Sequence, residues 1–227
     1  IDTEPNRLGK SFRDKLFRQT QGHPLFTIEL LRGMQQQGML VKDEENMWVE
    51  AQELVWDALP ARVEAVIGER VGRLPENLHR MMAICSVEGE EFTAEVAAKV
   101  LNAEGRDVVS VLSNELDKQY RLVSAQDIRR IKSHRLSVYR FQHNLFQKYL
   151  YANLDQAERS YLHEEVGAEL EKLYGDNSEE IAVQLARHFQ ESGIIGKAIH
   201  YLNQAGNRAV KLSANEEAIS HLSKGLE

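Results

Sequence analysis

The chain has 227 residues, 28 Lys+Arg against 35 Asp+Glu, a formal net charge of −7 and 42% apolar residues, a composition that argues against disorder throughout. No stretch approaches the ~20 consecutive apolar residues of a membrane-crossing helix, and the opening residues, Ile1 to Arg18, are too polar for a signal peptide. The single cysteine, Cys85, excludes an intrachain disulfide and a multi-cysteine metal site, and a cytoplasmic setting is expected.

From Pro24 the spacing of Leu25, Ile28, Leu31 and Met34 or Gln35 predicts a helix, with Pro24 in its first turn and Gly38 as its stop. Met39 to Val41, the acidic turn Asp43 to Asn46, and Met47 to Val49 read as a short β-hairpin. Helical spacing returns over Pro60 to Leu74 through Val63, Val66, Ile67 and Val71, and Pro75 ends it, so a first domain is expected over residues 1–75.

Three helices are expected next, Glu76 to Val87, Thr93 to Leu101 and Asp107 to Gln119. Two strands, Arg121 to Ala125 and Leu136 to Gln142, joined by Asp127 to Arg135, complete a winged-helix pattern. A helix from Asn144 to Asn153 closes this second domain, residues 76–155.

From Gln156 the chain reads as antiparallel helices, with stripes at Leu162, Val166, Leu170 and Leu173; at Ile181, Leu185 and Phe189; at Ile199, Leu202 and Ala205; and at Ile219, Leu222 and Leu226. Lys197-Ala198-Ile199 aligns with Glu217-Ala218-Ile219 at an offset of 20 residues, and small residues at Ala198, Ala205, Ala218 and Gly225 suit close helix approach. Tetratricopeptide-like repeats are expected over residues 156–227, with a partner-binding groove near Phe189, Tyr201 and Leu222. The fold class is mainly α, and both ends read as cuts from a longer chain.

No catalytic constellation emerges. Gly9-Lys10-Ser11 resembles the end of a phosphate-binding loop, but Glu4 stands where the pattern needs glycine. The eight histidines lack metal-ligand spacing, so no metal is expected, and His163, His188, His200 and His221 read as surface or groove residues. Cys85 reads as a small core residue.

Charge is less even. Arg129, Arg130, Lys132, Arg135, Arg140 and Lys148 fall between Ile128 and Leu154 with no acidic residue among them, a basic wing able to face phosphate in DNA or in a nucleotide. The helix that would enter a DNA groove carries Asp107, Glu115 and Asp117 against Lys118, which argues against DNA.

Thr20-Gln21-Gly22-His23-Pro24-Leu25-Phe26, Glu29-Leu30-Leu31, Leu59-Pro60-Ala61-Arg62-Val63, Glu69 to Pro75, and Tyr139 to Leu145 follow one another, and helical repeats come after. This order resembles the STAND signal-transduction ATPases, in particular the large ATP-binding regulators of the LuxR and maltose-activator type and the predicted ATPases attached to cyclases and kinases. The resemblance implies that residues 1–75 are a helical lid in which Gly22 and Pro24 lie against a nucleotide base. It also implies that His143 contacts the β-phosphate of ADP and that the Walker motifs lie upstream.

ATP or ADP is then the cofactor of the parent, with none held by this chain alone, which is not itself an enzyme. The repeats would bind an inducer or a protein partner, and the parent would self-associate. Two other readings stay open, a DNA-binding winged-helix transcription regulator and a tetratricopeptide-like interaction adaptor.

Overall fold

The computed structural model describes residues 4–51, 56, 59, 63–132 and 134–225, with the backbone alone at Asn215. Pro60, Ala61, Arg62 and Leu226, named above, lie outside the described residues. The chain is mainly helical and divides into two compact units, Ile1–Leu74 and Pro75–Glu227.

The first unit contains α1 (Lys10–Thr20), α2 (Pro24–Gln36), a hairpin of β1 (Leu40–Lys42) and β2 (Trp48–Glu50), and α3 (Val63–Gly72). Its core gathers Leu8, Phe12, Leu16, Phe26, Leu30, Met34, Leu40, Leu59 and Val66. Helix α2 ends in a Schellman arrangement: Gly38 has φ +72°, its N–H reaches Gln35 O, and Met39 N–H reaches Met34 O at 2.8 Å. The buried face of α2 is rotated from the one the hydrophobic spacing predicts. Phe26, Glu29, Leu30 and Met34 point inward while Ile28 is exposed, because the inward row contains an acid that apolar counting passes over.

In the second unit, α4 (Glu76–Glu88), β3 (Glu91–Thr93), α5 (Ala94–Val100) and α6 (Gly105–Val111) precede β4 (Val123–Ile131) and β5 (His134–Phe141). Helix α6 runs on into a π-helical segment, Leu112–Gln119, whose Leu116 is fully buried. The strands form an antiparallel sheet ordered β3-β5-β4. Strand β3 is absent from the sequence reading, and β4 and β5 extend through the segment expected to be a loop, so the wing is a ribbon.

Five α-helices follow, α7 (Asn144–Asn153), α8 (Gln156–Tyr174), α9 (Ala182–Glu191), α10 (Ile195–Lys211) and α11 (Asn215–Lys224). The boundary expected at 155/156 is not a break in packing, since one core runs from Ala83, Val87 and Leu136 through Leu154 and Val166 to Leu185, Phe189 and Tyr201. Ala198, Ala205 and Ala218 are buried at helix contacts, whereas Ile199 and Ile219, expected on the inward stripes, are exposed. Gly206 allows the closest approach: a Cβ there would lie 2.6 Å from Leu222 Cγ.

Candidate functional site

Two histidines stand at helix starts. His23 is the N-cap of α2, its Nδ1 accepting the Phe26 N–H at 3.3 Å, with Pro24 at the first helical position. Gly22, with φ +72°, makes the turn into it, and Gly22, His23 and Pro24 are all exposed. His143 is the N-cap of α7 in the same way, its Nδ1 accepting the Leu145 N–H at 3.1 Å, and it is half-buried. An imidazole whose Nδ1 accepts carries its ring proton on Nε2, so each residue keeps one N–H donor beside a helix N-terminus that favours anions.

Behind Pro24, α2 is anchored by a buried acid. Glu29, 3% exposed, pairs with Arg32 at 2.9 Å and with Arg70 of α3. Gln36 accepts from Arg73 at 2.7 Å. The helix carrying the Gly22-His23-Pro24 turn is thereby tied to the arginine-bearing end of α3. Thr27 Oγ1 donates to Thr20 Oγ1 at 3.0 Å and joins α2 to α1.

The basic wing is half neutralised. Arg129 pairs with Glu91 at 3.1 Å, Arg140 with Glu90 at 3.3 Å, and Lys132 with Asp176 at 2.5 Å. Sequence counting missed these partners because they lie on β3, on the turn before it, and beyond α8. Arg130 and Arg135 are exposed, directly opposite one another in the β4–β5 register, and have no ion pair among the described residues. They are the wing's unpaired cationic face.

The expected repeat groove is not formed by its named residues. Phe189 is 1% and Tyr201 4% exposed; their rings stack with centroids 5.7 Å apart, and Tyr201 Oη donates to Glu171 at 2.6 Å. Burial, with that carboxylate, pushes the Tyr201 phenol above its ordinary range. Leu222 is half-buried against Gly206. These three residues pack helix on helix.

Two of the histidines expected at the surface or in a groove are buried. His163 on α8 and His188 on α9 face each other with Nδ1 to Nδ1 at 2.9 Å, and His163 Nε2 lies 2.9 Å from the Tyr151 hydroxyl of α7. Burial pulls His163 down to about 4 and holds His188 far below the ordinary histidine range, with Arg187 adding repulsion to both. His188 Nε2 has no partner among the described residues. A Cβ at residue 167 would meet His188 Cβ at 3.1 Å, so Gly167 lets α9 approach α8.

Glu88 is a further buried polar group. It accepts from Thr93 N–H at 3.0 Å and from the Thr93 hydroxyl, while burial raises its carboxyl to about 8. Nearby, Arg187 donates to the carbonyls of Val87 and Glu88 at 2.9 and 3.1 Å, capping the end of α4. Cys85 is buried as expected, and burial raises its thiol. Among the described residues no cluster of three metal-ligating side chains occurs, and no helix is long and apolar enough to cross a membrane. Comparison of the chain with family models, with curated proteins and with solved structures returns no match in any of the three.

Proposed function

We propose that the chain is a regulatory module of a nucleotide-dependent switch. More specifically, we propose that it is the lid, winged-helix and first-repeat portion of a STAND-type signalling ATPase. The observation that carries this reading is His143: its Nδ1 is consumed by the α7 cap, so its remaining N–H is a single donor fixed in direction at a helix start, suited to a phosphate oxygen. Gly22 and Pro24 supply a glycine turn and a rigid ring exposed at the start of α2, a suitable surface for a nucleotide base. The helix–helix–helix–ribbon order before His143 supports the winged-helix part, and the successive packing of α8 to α11 supports the repeats.

Bound ADP would hold the parent in its resting form, and partner or inducer binding to the repeats, with ATP exchange and self-association, would shift the population to the active one. A DNA-reading role fits less well, because Arg129, Lys132 and Arg140 are already paired with carboxylates of this chain.

The test is ADP calorimetry on the parent with its upstream nucleotide-binding domain, wild type and His143→Ser. Serine keeps an N-cap acceptor but is too short to replace the imidazole donor. Loss of a hydrogen bond to a charged oxygen predicts ADP affinity about tenfold or more weaker. Unchanged affinity, or ATP turnover by the 227-residue chain alone, would overturn the reading.

A further inference from the structure

Within the Pro75–Glu227 unit a cleft of about 500 Å³ opens between α4 and α8, and nothing in the nucleotide reading uses it. Its floor is apolar, made by Ile84, Leu150 and Leu154. The α8 wall presents Glu158, Tyr161, Leu162 and Glu165, a row at i, i+3, i+4 and i+7 that places two carboxylates about 10 Å apart along one helix face. Between them Tyr161 is 71% exposed, a large ring left largely in water. The α4 wall adds Glu76, His79 and Arg80.

The rim therefore sets three carboxylates against one guanidinium. None of Glu76, Glu158, Glu165 or Arg80 has an ion pair among the described residues, whereas Glu169 and Glu171 further along the same helix α8 pair with Lys172 and Lys197. An apolar floor, an exposed aromatic ring and an unmatched acidic rim specify the chemistry of what covers them: apolar side chains on one face, flanked by cations.

We propose that this cleft docks a cationic amphipathic helix of a protein partner. Apolar residues of that helix would cover Tyr161 and Leu162, and Lys or Arg residues one heptad apart would reach Glu158 and Glu165. The site is independent of nucleotide, so its failure and that of the switch reading are separately visible.

The experiment is fluorescence anisotropy of a fluorescein-labelled helical peptide with leucine on one face and lysine on the other, titrated with the chain, beside a leucine–glutamate counterpart. Exposed charge pairs are worth up to about 1 kcal/mol each, so Glu158→Lys with Glu165→Lys should weaken lysine-peptide binding by about tenfold or more. Tyr161→Ala should weaken it by a similar factor if the ring is the central anchor.

The control pair Glu64→Lys with Glu104→Lys changes net charge equally at exposed positions outside the cleft and should leave binding within about twofold. Equal weakening by the control pair, equal binding of the glutamate peptide, or no binding would overturn the proposal. So would a dimer in sedimentation that Tyr161→Ala abolishes, which would assign the cleft to a second copy of the chain.

Discussion

The helix starts at His23 and His143 and the α8–α9 interface each hold two histidines, and they use the same side chain in opposite ways. At the helix starts, one ring nitrogen is spent on a backbone N–H and the other stays available. At the interface, His163 and His188 spend their Nδ1 atoms on each other, Tyr151 meets His163 Nε2, and burial disfavours charge on both rings. The contrast teaches that local backbone placement, and not residue type, separates a histidine that can meet a ligand from one that holds helices together.

Breaking the polar anchor behind the His23 turn should have the largest effect. Glu29→Ala removes the carboxylate that Arg32 and Arg70 share, and losing hydrogen bonds to a charged group costs about 1.5–3 kcal/mol each. Urea unfolding of the wild type and the variant checks this.

The buried imidazoles come next. A folded state that refuses protons accepted by the unfolded chain loses stability as pH falls below the unfolded histidine value of about 6.5. Glu88 acts in the opposite sense: its raised folded pKa means stability is lost as pH rises from the unfolded glutamate value toward about 8. The two slopes oppose each other in the wild type, and variants separate them. In a Glu88→Gln background, acidification from pH 7.5 to 5 should cost about 2 kcal/mol or more; in a His163→Phe, His188→Leu background, raising pH should be the destabilising direction. Urea midpoints across pH that show the same slope in both backgrounds would contradict the assignment.

Smaller effects sharpen the comparison at the repeat end and the wing. Gly206→Ala places a methyl against Leu222 and should cost about 1–2 kcal/mol, largely recovered by adding Leu222→Ala. Arg130→Glu turns a cross-strand like-charge pair with Arg135 into an opposite-charge pair and should stabilise by about 0.2–1 kcal/mol in thermal melts at low salt.

Much of the fold could be read from local signals. Pro24 and Asn144 open helices at the expected positions, Gly38 ends α2, and the arms of the hairpins fall near their expected places. Tertiary context decided the rest. Strand β3 is three residues long and exists because β5 offers it an edge, so no periodicity could announce it. Glu29, Glu88, His163 and His188 are polar residues whose burial depends on partners 3 to 41 positions away, which windowed hydrophobicity cannot see. The sequence singled out Gly22 to Pro24 and His143 through the motifs around them, but not the capping hydrogen bonds that orient the imidazoles of His23 and His143.

Long-range proton–nitrogen correlation spectra of the histidine rings test this division most directly. The Nε2–H tautomer is expected for His23 and His143 at pH 7.5, with His163 and His188 staying largely neutral on lowering the pH to 5. An Nδ1–H tautomer at His143, or titration of the buried pair near 6.5, would contradict it.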